Sequence, residues 1–222
     1  MTTIELGDGR ALSLERAAEK LNLRAGLPGA YLFDQAAHAL RRARPTLALE
    51  ARLDLALASS WLVNSPAPSP ALRALATPPR RELLLGLVDA LEALPDDLGE
   101  EAPELVEIAA AVDQLSEALG PRRAQGAEAL SKLLALLLPE CVPLLPEPAC
   151  RTLLGDPPSA QGARFTRALQ VFRRATNAHY GELVALARDH QAAVLDAAQV
   201  LDRVLWFDSE GHAHFPPPSS AG

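Results

Sequence analysis

Aromatic and β-branched aliphatic side chains are scarce in this chain. Its 222 residues include five phenylalanines, two tyrosines, two tryptophans, ten valines and two isoleucines. Such side chains pack the faces of a pleated sheet, so their scarcity excludes a large β-sheet. Alanine and leucine, with 42 residues each, take their place, and both lose little side-chain freedom in a helix. The composition therefore predicts an all-α protein, and the length suits one domain.

Cysteine and lysine are also rare, with two residues of each against 19 arginines. Cys141 and Cys150 are close enough in sequence for a disulfide or for two small buried thiols, and so few cysteines indicate a reducing compartment. A net charge of −7 disfavours nucleic acids and anionic membranes as partners. The N-terminus resembles no secretory signal, and no apolar run is long enough to span a membrane. We therefore expect a cytoplasmic protein.

Leucines at helical spacing, interrupted by proline and glycine, predict about eight to ten helices. Gly7-Asp8-Gly9 separates two short extended runs and predicts a small β-hairpin, after which Ser13 caps the first helix. Helices are expected over 13–23, 31–44, 45–63, 80–94, 103–119, 122–138, 159–178, 180–188 and 192–206, with an irregular segment over 139–148. The chain divides into the N-terminal hairpin and helices (1–64), an acidic helical hairpin (71–120), the C-terminal helices of the same core (121–207) and a flexible tail (208–222).

Negative charge is concentrated in one part of the sequence. Between residues 82 and 117 there are eleven acidic residues and no lysine or arginine. They alternate with the apolar positions of two helices, which places them on the outer face of the 71–120 hairpin. This face is either a solvated surface or a docking site, for a basic protein partner or for the chain's own arginines at positions 41, 42, 44, 122 and 123. The residues expected to bind a partner are Asp96, Asp97, Glu100, Glu101, Glu104 and Glu107.

The common motifs of hydrolases, nucleotide-binding proteins and zinc proteases do not occur in the sequence. His212 and His214 lie on one side of a predicted extended segment near Asp208, and two imidazoles with a carboxylate can hold a metal ion. No third ligand has a diagnostic spacing, so an exposed hairpin is the alternative. We predict neither a metal nor a cofactor.

Arg174 and His179 form an Arg-x4-His motif. It resembles the motif of the HEPN superfamily, all-helical bacterial ribonucleases of toxin–antitoxin and defence systems. The resemblance implies that the imidazole moves the 2′-hydroxyl proton while the arginine stabilises charge on the phosphate. The polar residue that usually follows the arginine is Ala175 here. The alternative is a surface arginine and a histidine at the end of a helix.

A wider pattern begins at Ser131-Lys132, continues through Pro139 and Pro143, and ends in a helix that carries Asp202 and Trp206. It resembles a group of uncharacterised bacterial helical proteins with Ser-Lys-x-Leu, two spaced prolines followed by an aspartate, and a closing Leu-Asp-x-x-Leu-Trp helix. The position of the aspartate after the prolines is proline in this chain. The resemblance implies a helical fold and no established activity.

Helical folds of this kind also faintly resemble the base-excision DNA glycosylases. Their Leu-Pro-Gly-x-Gly hairpin is matched only by Leu27-Pro28-Gly29, because the second glycine is replaced by Tyr31.

The leading interpretation is a non-catalytic protein that acts by protein–protein interaction through its acidic helical face, in an adaptor, immunity or accessory role. The alternative is an enzyme that acts on nucleic acids, either a HEPN-like ribonuclease or a glycosylase-like protein. An open basic cleft containing both Arg174 and His179 would favour the enzyme.

Overall fold

A computed structural model describes residues 2–25, 28–62, 74–95, 98, 102–119, 123–190 and 195–209. Within these ranges the chain forms ten α-helices and one small antiparallel sheet. The all-α fold predicted from the composition is confirmed, and so is the number of helices. The helices are α1 (Leu14–Ala25), α2 (Pro28–Ala43), α3 (Leu49–Leu62), α4 (Arg80–Ala93), α5 (Glu104–Leu119), α6 (Arg123–Leu137), α7 (Glu147–Leu154), α8 (Gln161–Ala178), α9 (Tyr180–Asp189) and α10 (Ala197–Ser209).

The predicted N-terminal β-hairpin is present. Strand β1 (Thr3–Glu5) pairs with β2 (Ala11–Ser13), and Ile4 lies opposite Leu12. The turn between them has positive φ at two residues, 54° at Asp8 and 71° at Gly9, a conformation that aspartate and glycine tolerate better than other residues. Ser13 then caps α1 as expected, because its Oγ accepts the backbone N–H of Arg16 at 3.2 Å. The local sequence thus determines both the turn and the start of the first helix.

Helix α6 lies at the centre of the core. It packs against α2, α3, α5 and α8. Its sequence is apolar around almost its whole circumference toward the C-terminal end, where Leu133 to Leu138 are all buried. The C-terminal part of α6 has no polar side to present to water, so other elements surround it.

Two glycines set the distance between α5 and its neighbours. A Cβ atom built on Gly162 of α8 would lie 2.7 Å from the carbonyl carbon of Ala109, and one built on Gly126 of α6 would lie 2.9 Å from that of Ser116. Both approaches are closer than any side chain allows, so only glycine permits them. Helix α5 is therefore held between α6 and α8, and its remaining side faces outward.

The structure departs from the sequence-based expectations at several helix ends. Helix α3 begins at Leu49 and not at Pro45, because residues 44–47 form turns. Residues 147 and 148, predicted to be irregular, begin helix α7, because Pro146 and Pro148 occupy the N-cap and the second helical position, where proline is tolerated. Helix α10 runs to Ser209 rather than ending at Trp206. It starts with a reciprocal capping box, in which Asp196 accepts the backbone N–H of Gln199 at 2.9 Å and Gln199 accepts that of Asp196 at 3.2 Å. None of the described helices is long and apolar enough to cross a membrane.

Candidate functional site

The acidic residues of the 82–117 run divide into an exposed group and an internal group. Helices α4 and α5 pack against each other, and their outward sides carry the exposed group. Asp96, Asp97, Glu100 and Glu101, four of the residues expected to bind a partner, lie outside the described residues. The other two, Glu104 and Glu107, are exposed in the first turn of α5. We define the acidic face as the exposed acidic residues that the structure describes: Glu82, Asp89, Glu104, Glu107 and Glu117.

Internal contacts occupy the two remaining acidic residues. Glu92 accepts hydrogen bonds from both terminal nitrogens of the buried Arg52, each at 3.1 Å, and lies 3.3 Å from Arg44. Arg44 also pairs with Glu140 at 2.5 Å. Asp113 accepts the backbone N–H of Gly162 at 2.9 Å, in the first turn of α8. Of the five arginines named in the sequence-based prediction, Arg44 therefore contacts the acidic run, at Glu92 and not on the acidic face.

A large apolar side chain is exposed beside Glu104 and Glu107 of the acidic face. Val106, in the first turn of α5, is 72% exposed and lies between Glu104 and Glu107 in the sequence. The exposed positions that follow along α5 are Glu107, Ala110, Gln114 and Glu117, which are acidic, small or neutral. In the part of the chain that the structure describes, the outer side of α5 therefore combines negative charge with one exposed large apolar side chain, Val106.

Arg174 and His179 lie at the C-terminal end of α8. The Arg174 side chain is exposed, whereas His179 follows the helix as its C-cap and is half-buried. Nε2 of His179 accepts the backbone N–H of Glu5 at 3.0 Å, which places the ring proton on Nδ1. Since Nε2 already has a structural proton donor and Nδ1 carries a hydrogen, neither nitrogen offers a free lone pair for a substrate proton.

A small pocket lies between α6, α7 and α8, away from the acidic face and from His179. Its volume is about 90 Å³, and its lining includes Glu128, Glu147, Cys150 and Arg164. Pockets for small-molecule ligands usually measure roughly 300–1,000 Å³. This pocket is too small for such a ligand and contains neither Arg174 nor His179.

Ser131 and Asp202, from the wider sequence pattern, are brought together by the fold. Both bind the α6–α7 connection, which we define as residues 138–146. The Oγ of Ser131 accepts the backbone N–H of Leu145 at 3.2 Å, and Oδ1 of Asp202 accepts that of Leu144 at 2.7 Å. All of these groups are buried. The connection has three prolines and little regular structure, so side chains supply the hydrogen-bond acceptors that a helix or sheet would otherwise supply.

The two cysteines are neither bonded to each other nor in an environment that favours a reactive thiolate. Cys141 and Cys150 are both free thiols. Burial raises the pKa of Cys150 to about 12, and it raises that of Cys141 as well, together with the nearby charge of Glu140. These shifts disfavour the reactive thiolate form.

His212 and His214 lie outside the described residues. Asp208 belongs to α10, not to an extended segment, and pairs with Arg16 at 2.5 Å. Among the residues that the structure describes, no three potential ligands are grouped to hold a metal ion.

Two residues near Asp202 were missed by the sequence reasoning. Arg203 follows it on α10, and Asp34 of α2 binds Arg203 at 2.7 Å in the core. Asp34 lies in an ordinary helical stretch and carries no motif, whereas a charged Asp-Arg pair among apolar neighbours at 200–205 was a signal of buried ionic contacts.

Comparisons of the chain with protein-family models, with curated proteins and with solved structures find no match.

Proposed function

We propose that the protein is non-catalytic and acts by protein–protein interaction, with a basic partner docked on the acidic face. The observation that carries this proposal is the exposed charge on α4 and α5, in a run of sequence without any lysine or arginine. Exposed carboxylates attract basic surfaces during the encounter and reject acidic ones. An adaptor, immunity or accessory role fits such a surface.

Val106 supports the proposal because charge alone gives little affinity. Exposed ion pairs contribute only about 0.2–1 kcal/mol each, so a docking surface also needs apolar contact. Val106 offers that contact at the centre of the Glu104–Glu107 turn. Helix α5 is fixed by its close packing on α6 and α8, so a partner would bind it with little loss of conformational entropy.

The enzyme alternative receives less support from the same structure. A ribonuclease of the HEPN type needs an imidazole nitrogen that can accept a proton, and in His179 the Nε2 atom is engaged by Glu5. We also propose a cytoplasmic location, since both cysteines are free thiols.

The test uses two variants with the same change in net charge. Glu104→Lys/Glu107→Lys alters the acidic face, and Glu15→Lys/Glu50→Lys makes the matched change at exposed acids in the first turns of α1 and α3. Tagged wild type and both variants are used to purify partners from cells that naturally express the protein. A partner identified by mass spectrometry is then titrated against each protein by calorimetry.

We expect the face variant to bind the partner at least about tenfold more weakly than the control variant, while their melting temperatures agree. Binding by the wild type should also weaken in about 1 M salt, where the Debye length falls to about 3 Å. Equal affinity of the two variants would exclude the acidic face as the docking site. RNA cleavage that is lost in His179→Ala would instead favour the enzyme.

A further inference from the structure

The small pocket between α6, α7 and α8 combines an apolar wall with charged side chains. Leu145, Cys150 and Phe165 line it, and each is at most 8% exposed. Arg164 and Glu147 line the same pocket and form an ion pair with each other. The pocket is partly open to solvent, so a ligand can enter it without separating the helices.

The volume of the pocket, about 90 Å³, limits the ligand to a few atoms. An apolar protein cavity of about 150 Å³ holds benzene, which has about six heavy atoms. On that scale the pocket holds about four heavy atoms. This is the size of acetate, acetamide or guanidinium, well below the drug-sized ligands that ordinary pockets bind.

Two polar groups of the lining have unused hydrogen-bonding capacity. Nε of Arg164 donates to the carbonyl oxygen of Pro158 at 3.0 Å, and one terminal nitrogen donates to Glu147. The second terminal nitrogen has no hydrogen-bond partner among the described residues, and neither has the side-chain amide of Gln161, three residues earlier in α8. A carboxylate has two oxygens and can accept from a guanidinium and an amide at once.

The charges around the pocket also favour an anion. Glu147 pairs with Arg164 and, at 3.2 Å, with Arg151, while Glu128 lies 3.6 Å from Lys132. Both carboxylates that line the pocket therefore have cationic partners already. Together these five side chains carry one excess positive charge, which a single bound carboxylate balances.

We propose that this pocket binds a small monocarboxylate anion of the size of acetate. Its carboxylate accepts hydrogen bonds from the second terminal nitrogen of Arg164 and from the amide of Gln161. Its methyl group packs against Phe165 and Leu145. A ligand with a second carboxylate is rejected, because the added charge meets Glu147 in the same small space.

The test compares acetate, acetamide and guanidinium, three ions or molecules of equal size whose charges are negative, zero and positive. Each is added to the full chain at constant ionic strength, while NMR follows the backbone amides of Phe165 in the pocket and of Leu53, buried in α3. We expect acetate to shift the Phe165 signal with a saturable, millimolar Kd, the affinity that so few atoms allow, and to leave Leu53 unchanged. Acetamide and guanidinium should bind at least about tenfold more weakly.

Three variants place the binding in this pocket. Ala127→Leu fills the pocket from α6 and leaves Arg164 in place, whereas Ala39→Leu makes the same change at an exposed position of α2. We expect acetate binding to be lost in the first and unchanged in the second. Arg164→Gln removes the charge and should weaken acetate binding at least about tenfold.

The proposal is overturned if acetamide or guanidinium binds as tightly as acetate, or if the acetate shifts do not saturate. Unchanged acetate binding in folded Ala127→Leu or Arg164→Gln protein would equally exclude this pocket. The melting temperature of each variant shows whether it is folded. The wild-type titration decides which charge the ligand carries even if a variant does not fold.

Discussion

The contact between Gly162 and the backbone of Ala109 gives a sharp test of how the core is assembled. In Gly162→Ala the new methyl group would start 2.7 Å from the carbonyl carbon of Ala109, whereas ordinary contacts lie at 3.4–4 Å. The obstacle is helix backbone, which cannot rotate away as a side chain can. Helix α8 must therefore move away from α5 by about 1 Å.

The cost of this shift has two parts. Overpacking of a close-packed core costs about 1–3 kcal/mol. The same displacement stretches the hydrogen bond from the Gly162 N–H to Asp113, now 2.9 Å, and its loss adds about 1 kcal/mol. Alanine recovers up to about 1 kcal/mol through its better helix propensity. The net destabilisation is about 2 kcal/mol, and for a chain of this size it lowers the melting temperature by about 4–8 °C.

Gly181→Ala is the matched control, because Gly181 is also the second residue of its helix. A Cβ atom built there meets nothing within 4 Å. We expect this variant to be as stable as the wild type or more stable by up to about 1 kcal/mol. Urea denaturation of the three proteins gives the comparison. If Gly162→Ala were as stable as Gly181→Ala, the close approach of α8 to α5 would be refuted.

Two further substitutions test single hydrogen bonds. Ser131→Ala leaves the buried Leu145 N–H without its acceptor, so we expect it to lower the free energy of unfolding by about 1–3 kcal/mol in urea, with Ser131→Thr losing less because it keeps a hydroxyl; equal losses would show that the hydroxyl is not needed. Asp113→Ala removes the acceptor at the start of α8 and should cost about 1 kcal/mol in thermal unfolding, whereas Asp113→Asn should retain most of the stability; an unaffected Asp113→Ala protein would contradict this cap.

The helical fold was predictable because its signals are local. The leucine spacing of α5, the cap at Ser13 and the Gly7-Asp8-Gly9 turn each determine a short piece of structure without help from distant residues. Helix α7 was missed because three prolines around it suggested an irregular segment. Its first turn tolerates them, and its apolar residues Leu153 and Leu154 are buried by packing against α8 and α10. Such packing cannot be read from the segment alone.

The candidate site was predictable only in part, for the same reason. Exposure of Glu104 and Glu107 follows from the helical pattern of α5, so the sequence indicates it. The pairing of Glu92 with Arg52, 40 positions earlier, depends on how α3 and α4 pack, as does the meeting of Asp34 with Arg203 across most of the chain. Charge counting in the sequence treats Glu92, which is engaged in internal ion pairs, like the exposed carboxylates and thus overstates the acidic face.

The hydrogen bond between His179 and Glu5 has a consequence for the solubility of the protein. Leu6 and Leu14 donate to Arg10 and Thr2 across the hairpin, so the N–H of Glu5 points away from β2, toward the open edge of the sheet. An unpaired edge can recruit a strand from another molecule and start aggregation. The imidazole occupies this N–H and ends the hydrogen-bonding row with a ring that no further strand can follow. We therefore infer that His179, the histidine of the Arg-x4-His motif, reduces edge-to-edge pairing of this sheet with a second molecule.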